Sequence, residues 1–235
     1  MRRKHQVGGS SPFLGSDTYK GSGMLEMTFL DAAHYIAEKG LVCASSGNMS
    51  HCRYESHGSK IWVTATGAWF SHLCVDDIVE CSFPDGEVLR AHSDNKPSSE
   101  LKMHLEILRI RNKMNTVLHF QSPYATTLAA SFTGSWLGRL SVIPEIPYYV
   151  GSIGCVDYST PGSDELAESV AEAAAAYDVV FMKNHGQIVV GTSFMDVIQK
   201  ASFVELASMI LVHGQGIQTL TDQNVADLVK YRNKK

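Results

Sequence analysis

The apolar positions of this chain switch between a helical and a strand period. Phe29, Leu30, Ala33, Ile36 and Ala37 recur at helical spacing between Leu25 and Lys39, and Gly40 follows as a stop signal. A loop of small residues comes next, Ala44-Ser45-Ser46-Gly47-Asn48. Two β-rich runs, Ile61 to Thr66 and Ile78 to Phe83, lead into an Asp85-Gly86 turn. Pro97-Ser98-Ser99-Glu100 opens a second helix, with Leu101, Leu105 and Leu108 on one face and Glu100 and His104 on another. Asn115 to Gln121 reads as a buried strand, and Pro123 starts a helix of small residues. After an irregular stretch rich in Tyr and Pro, an alanine-rich helix runs from Ser163, a plausible N-cap, to Tyr177. Strands at Asp178 to Met182 and Gln187 to Val190 are joined by a tight Asn184-His185-Gly186 turn, and Phe194 to Val212 forms the last strong helix, ended by Gly214.

Several of these strands lie too close in sequence for a helical crossover, and only antiparallel pairing permits such short connections. The pattern therefore predicts an α/β fold whose helices cover a largely antiparallel sheet. No internal repeat or linker divides residues 24–235, which are expected to form one domain. Residues 1–23 are Gly/Ser-rich and without periodicity, and are expected to be a flexible leader or linker.

Composition narrows the class. With 235 residues, 44% hydrophobic and 19% charged, the chain is neither disordered nor collagen-like and is long enough to bury a core without cross-links. A net charge of -4 gives no footprint for nucleic acid, and the basic runs Arg2-Arg3-Lys4 and Arg232 to Lys235 are expected to be solvated ends. No apolar stretch is long enough to predict a membrane span. Five cysteines, Cys43, Cys52, Cys74, Cys81 and Cys155, form an odd set without a CxxC pair. That pattern argues against a disulfide framework and a cysteine zinc site and, with no secretory signal, for a cytoplasmic protein.

Three polar clusters carry candidate chemistry. Ser45-Ser46-Gly47-Asn48, Thr66-Gly67 and Ser98-Ser99 offer hydroxyls, an amide and backbone N–H groups of the kind that hold a phosphate. Each fragment alone is also ordinary turn and cap chemistry; the recurrence before successive elements gives the set its weight. Glu100, in the first turn of a helix beside two serines, is either a surface carboxylate complementing the helix dipole or a general base beside phosphate and metal. His119 on an apolar strand and His185 in a tight turn are either core histidines or metal ligands, and spacing does not show whether they meet. His104 lies four residues after Glu100 on the same helix face. It is expected as a surface or interface histidine, with tuning of the carboxylate or substitute ligation as alternatives. Asp178 and Glu165, Glu168 and Glu172 are expected to be solvated charge.

The order of these motifs resembles the class II aldolase/adducin family. Gly47-Asn48-Met49-Ser50, Thr64-Ala65-Thr66-Gly67, Pro97-Ser98-Ser99-Glu100, Val117-Leu118-His119 and Asn184-His185-Gly186 follow one another as in that family, across roughly residues 25–215. The resemblance implies a three-layer α/β fold with a central, mostly antiparallel sheet. It implies Zn2+ held by His119 and His185, and a substrate phosphate cradled by Ser45, Asn48, Thr66, Gly67, Ser98 and Ser99. Glu100 would then move a proton on the carbon next to the substrate carbonyl, and Tyr148, reaching in from a neighbouring subunit of a homotetramer, would protonate the leaving aldehyde oxygen. One position departs from the family pattern: His-x-His at the strand end reads His119-Phe120-Gln121 here. Gln121 then ligates through its carbonyl, leaves the shell to Glu100 or a water, or marks a lost metal.

The expected function is a metal-dependent lyase. It would cleave a ketose phosphate such as L-fuculose 1-phosphate into dihydroxyacetone phosphate and an aldehyde. The alternatives are a sugar-phosphate epimerase or decarboxylase of the same family, or a non-catalytic, adducin-like assembly domain.

Overall fold

A computed structural model describes residues 27–131 and 136–234. The segment 1–23, Leu25, the basic run at Arg2 and Lys235 lie outside the described residues. Eight strands form one sheet in the order β4-β3-β2-β1-β5-β8-β7-β6. They are β1 (Asn48–Arg53), β2 (Lys60–Thr64), β3 (Ile78–Ser82), β4 (Val88–Arg90), β5 (Thr116–Phe120), β6 (Ile153–Val156), β7 (Val179–Met182) and β8 (Gly186–Gly191). Every pairing is antiparallel except β6 with β7. That parallel pair needs a crossover, which helix α4 (Asp164–Ala174) supplies.

Both faces of the sheet are covered, so its central strands are apolar on both sides. On one face Met49, Leu118, Phe120, Phe181 and Val189 pack under α1 (Phe29–Glu38), α3 (Pro123–Ala130) and α5 (Phe194–His213). On the other, Val63, Val117, Val180 and Ile188 pack under α2 (Leu101–Ile110) and α4. The expected three-layer arrangement is what the chain adopts. The N-cap at Ser163 holds, its side chain accepting from the Leu166 N–H.

Four elements depart from the pattern reading. The strand β1, at the centre of the sheet, starts at the last residue of the expected small-residue loop and carried no strand signal, because Asn48, Ser50 and His51 break its apolar alternation. These three side chains are nevertheless buried, each with a hydrogen-bond partner. Strand β6 falls in the stretch read as irregular, and β4 in the segment after the Asp85-Gly86 turn to which no element was assigned; each is short, at a sheet edge. Helix α6 (Asp222–Arg232) includes part of the expected basic tail; it buries no residue, so it has no apolar stripe to read, although Thr221 and Asn224 form a capping box at its start.

Asp178 is not solvated strand-edge charge. Its carboxylate lies between Arg111 and Lys200, with Lys200 Nζ at 2.9 Å, and Lys200 is itself buried. Burial would raise the Asp178 carboxyl, but the two cations outweigh it and hold the group below its usual range. Glu165, Glu168 and Glu172 are exposed, as expected. All five cysteines are free thiols. Among the described residues no helix is long and apolar enough to cross a membrane.

Candidate active site

Strand register brings the sequence motifs together. Asn48 and His119 are direct partners across β1 and β5, and His119 pairs with Ile188 of β8, two residues past Gly186 in the turn that carries His185. Since alternate side chains share a face, Asn48, Ser50 and His119 all point into the layer that holds α2. Glu100 occupies the N-cap position of that helix, a step before the first turn where the sequence placed it. It is no surface carboxylate: only 7% of it is exposed.

These elements line a cavity of about 280 Å³. Ser45, Asn48, Thr66, Gly67, Ser98, Ser99, Glu100, His119, Gln121 and His185, ten of the eleven residues singled out, stand around it. Tyr148 does not. Its ring lies in a π-helical turn, Ile146–Val150, against Tyr149 and Tyr231. Ser46, Gly47, Ala65 and Pro161 complete the wall. The first three belong to loops that the sequence already marked, whereas Pro161, before α4, carried no signal.

Glu100 and the two histidines form the deepest part. His119 Nε2 lies 3.5 Å from Glu100 Oε2, and His185 Nε2 lies 3.5 Å from Glu100 Oε1. The two imidazoles meet edge to face with centroids 4.8 Å apart. His119 Nδ1 is 3.0 Å from the Gln187 carbonyl, which can only accept. A neutral His119 therefore keeps its proton on Nδ1 and turns the Nε2 lone pair toward Glu100. Burial, with His119 alongside, pushes the His185 imidazole below its ordinary range against the pull of Glu100. For Glu100 itself burial acts upward, but His119, the Asn48 hydrogen bond and His185, the imidazoles acting through their protonated form, together hold the carboxyl below its usual range.

A carboxylate and two imidazoles thus converge, two of the three buried, with ligand atoms within 4.8 Å of one another, and the Glu100 Oε1 atom has no hydrogen-bond partner. A cation satisfies such a set, and the Gln187 carbonyl behind His119 is the outer partner that a metal-binding imidazole uses to fix its tautomer. The residues fit a divalent metal. Gln121 lies at the same place, its amide nitrogen 3.5 Å from His119 Nε2, and turning the amide over presents its oxygen to the centre.

The hydroxyls differ in what they have free. Ser98 accepts from the Glu100 N–H through its oxygen and keeps its own proton for an anion. Thr66 donates its proton to the Pro97 carbonyl at 2.8 Å, so it clamps two loops together and must exchange that bond before it can hold a phosphate. The Asn48 amide is engaged with Glu100 at 2.7 Å and with His104 at 2.6 Å, leaving one N–H for the cavity.

His104 overturns its expectation. It is fully buried rather than at a surface or interface. Burial pushes its imidazole down to about 3, and pushes His51, which faces the opposite layer against Phe194, down to about 4. Both are neutral in the folded protein and would be cationic below about 6.5 once unfolded. Their contribution is therefore complete above 6.5 and is lost as pH falls from there toward 4 and 3. Urea unfolding is expected to give a free energy lower by roughly 2–3 kcal/mol at pH 5.5 than at pH 7.5. A flat profile across that window would show that neither histidine is held neutral.

Comparison with known proteins follows the same pattern. The model of the Class II Aldolase and Adducin N-terminal domain matches residues 28–212. The L-fuculose phosphate aldolase of Methanocaldococcus jannaschii is 33% identical over 178 residues, covering 75% of this chain and 90% of the relative. The 3-oxo-tetronate 4-phosphate decarboxylase of Haemophilus influenzae is 28% identical over 200 residues, covering 81% of this chain and 89% of the relative. Among solved structures, YgbL of Escherichia coli, assigned provisionally as an aldolase, epimerase or decarboxylase, superposes with a TM-score of 0.76 at 26% identity, covering 85% of this chain and 95% of that one.

Proposed function

The chain belongs to the class II aldolase and adducin family and is an aldolase-like lyase, and we propose that it cleaves a ketose 1-phosphate, such as L-fuculose 1-phosphate, into dihydroxyacetone phosphate and an aldehyde. The observation that carries this reading is the meeting, in one cavity, of a buried carboxylate, two histidines turned toward it and a wall of hydroxyls. A non-catalytic assembly domain has no use for that arrangement.

The phosphate is received by Ser45, Ser98, Ser99 and the Gly47 and Gly67 loops, at the N-terminal end of α2, where the helix dipole favours an anion. This places the substrate carbonyl against the histidine pair and the neighbouring carbon against Glu100. Held as an ionised carboxylate, Glu100 is in the form that takes a proton from that carbon when the carbon–carbon bond is made; when the bond is broken, Glu100 first gains the proton shed by the hydroxyl that becomes the aldehyde and delivers it to the carbon. His119, His185 and Gln121 would hold Zn2+, which when bound would supply positive charge for the oxygen on which negative charge develops. In cleavage Tyr148, standing in the cavity of a neighbouring subunit, would pass on the proton shed by the hydroxyl whose oxygen becomes the aldehyde carbonyl, and in the reverse addition it would return a proton to that oxygen, a role its place outside this chain's own cavity allows. A homotetramer is supported by the exposed apolar side chains of α5, Leu206, Met209 and Val212, beside Tyr149 stacked on Phe203. A cytoplasmic location is supported by the odd set of five cysteines without a CxxC pair.

A second reading comes from the decarboxylase relative: loss of carbon dioxide from a 3-oxo sugar-acid phosphate leaves a carbanion at the same carbon, to which Glu100 would deliver a proton taken up from solvent. Both readings are tested together on protein purified without chelator. Stoichiometric zinc in the wild type that disappears in His185→Ala is expected, with dihydroxyacetone phosphate released from a ketose 1-phosphate. Carbon dioxide from a 3-oxo-tetronate phosphate, without aldol cleavage, would select the decarboxylase. Failure to bind zinc even when it is added back would remove the metal-dependent reading.

A further inference from the structure

Behind Glu100 runs a hydrogen-bond chain that the proposed reaction has not used. Ser50 Oγ lies 2.7 Å from His104 Nδ1, His104 Nε2 lies 2.6 Å from Asn48 Oδ1, and Asn48 Nδ2 lies 2.7 Å from Glu100 Oε2. Its direction follows from which atoms carry hydrogen. Asn48 must turn its NH2 to Glu100, because an amide oxygen would repel the carboxylate. Its oxygen then faces His104 and can only accept, so the His104 proton sits on Nε2. With that proton assigned, Nδ1 is a lone pair and takes the Ser50 hydroxyl proton. All four residues are buried, and burial keeps the imidazole neutral, so the chain has one arrangement rather than several.

The geometry points to His104 as a positioning residue: through Asn48 it holds one Glu100 oxygen fixed, so that the other is presented to His185 and the reacting carbon. The fold makes this arrangement possible. His104 stands one turn after Glu100 on α2, and Ser50 two residues after Asn48 on β1, so helix and strand each contribute a pair of residues on one facing surface. Without the His104 donor the Asn48 amide is free to turn over, and Glu100 then loses its donor and swings. For its catalytic consequence the inference rests on the proposed acid/base role of Glu100; the hydrogen-bond chain itself does not.

Two substitutions separate positioning from packing. His104→Gln can place an N–H where Nε2 stands, whereas His104→Asn reaches only as far as Nδ1 and Ser50. Both shrink the side chain, so both are expected to lower the unfolding temperature. In His104→Asn, kcat is expected to fall on the order of 10²-fold with KM unchanged, since a misplacement of about 1 Å is enough for such a loss. In His104→Gln most of kcat should return. Equal loss or equal retention of kcat in the two variants would reduce His104 to a packing residue.

The second readout needs no substrate. In protein labelled with 15N-histidine, the signals that vanish in His104→Gln are expected to be those of a neutral ring protonated at Nε2. An Nδ1-protonated or cationic ring would break the chain and overturn the proposal. If the wild type turns over no sugar phosphate, the proposed reaction fails, and the tautomer still decides the chain.

Discussion

Glu100→Gln is expected to lower kcat by ~10² to ~10⁴-fold, the range spanned by a positioned general acid or base. The substitution is nearly isosteric, and the glutamine oxygen can still accept from Asn48 Nδ2, now 2.7 Å from Glu100 Oε2. What is lost is a group able to take a proton. The folded state should not suffer, because an ionised group only 7% exposed is replaced by a neutral one. KM is expected to change little, since the phosphate loops are untouched. Steady-state kinetics and a thermal melt on the same preparation check this. Turnover equal to wild type would remove Glu100 from the proton transfer and leave it a structural or metal-holding role.

Gly47→Ala is expected to destabilise the fold by about 2–5 kcal/mol, the sum of roughly 1–2 for a side chain in left-handed backbone and about 1–3 for overpacking. Gly47 has φ +88°, and a Cβ built there meets the His119 carbonyl oxygen at 2.5 Å and Val42 Cγ1 at 3.2 Å. The carbonyl belongs to central strand β5, so relief of the clash moves the strand that carries His119. Metal retention and turnover are expected to fall along with stability. Gly40→Ala is the control: Gly40 also has positive φ, +68°, but no atom lies within 4 Å of its added Cβ, so only the backbone cost applies. Urea unfolding of both variants separates the two contributions. Equal losses would mean that the loop at Gly47 moves without strain and that the contact with His119 positions nothing.

How much of this was legible beforehand differed from element to element. The elements whose apolar residues kept one period, α1, α2, β2, β3, β5, β7, β8 and α5, were readable because burial of one face is what selects that period. Strand β1 was not, although it sits at the centre of the sheet. Its side chains on the α2 face are Asn48 and Ser50, polar because they serve Glu100 and His104, so the alternation that marks a half-buried strand is erased by the site itself. Asp178 was misread for a related reason: Arg111 and Lys200, which bury it, are 67 and 22 residues away in sequence. His104 was misread because a histidine on a polar helix face looks solvated until a strand is laid across it.

By itself, the sequence determined which chemistry was available: the serine loops, one carboxylate, the histidines, and a glutamine where the family pattern has histidine. These are properties of residue type and order, which the chain carries whether folded or not. The family resemblance drawn from that order held, and so did the mixed, mostly antiparallel sheet. Only the tertiary structure decided that His119 and His185 meet over Glu100, that Tyr148 stands apart, and which way each hydrogen bond in the Ser50 to Glu100 chain runs. Those facts depend on the register of β1 on β5 and on α2 packing across both. Contacts between residues 48, 100, 104, 119 and 185 are fixed by burial of the whole sheet, and no local stretch of sequence encodes them.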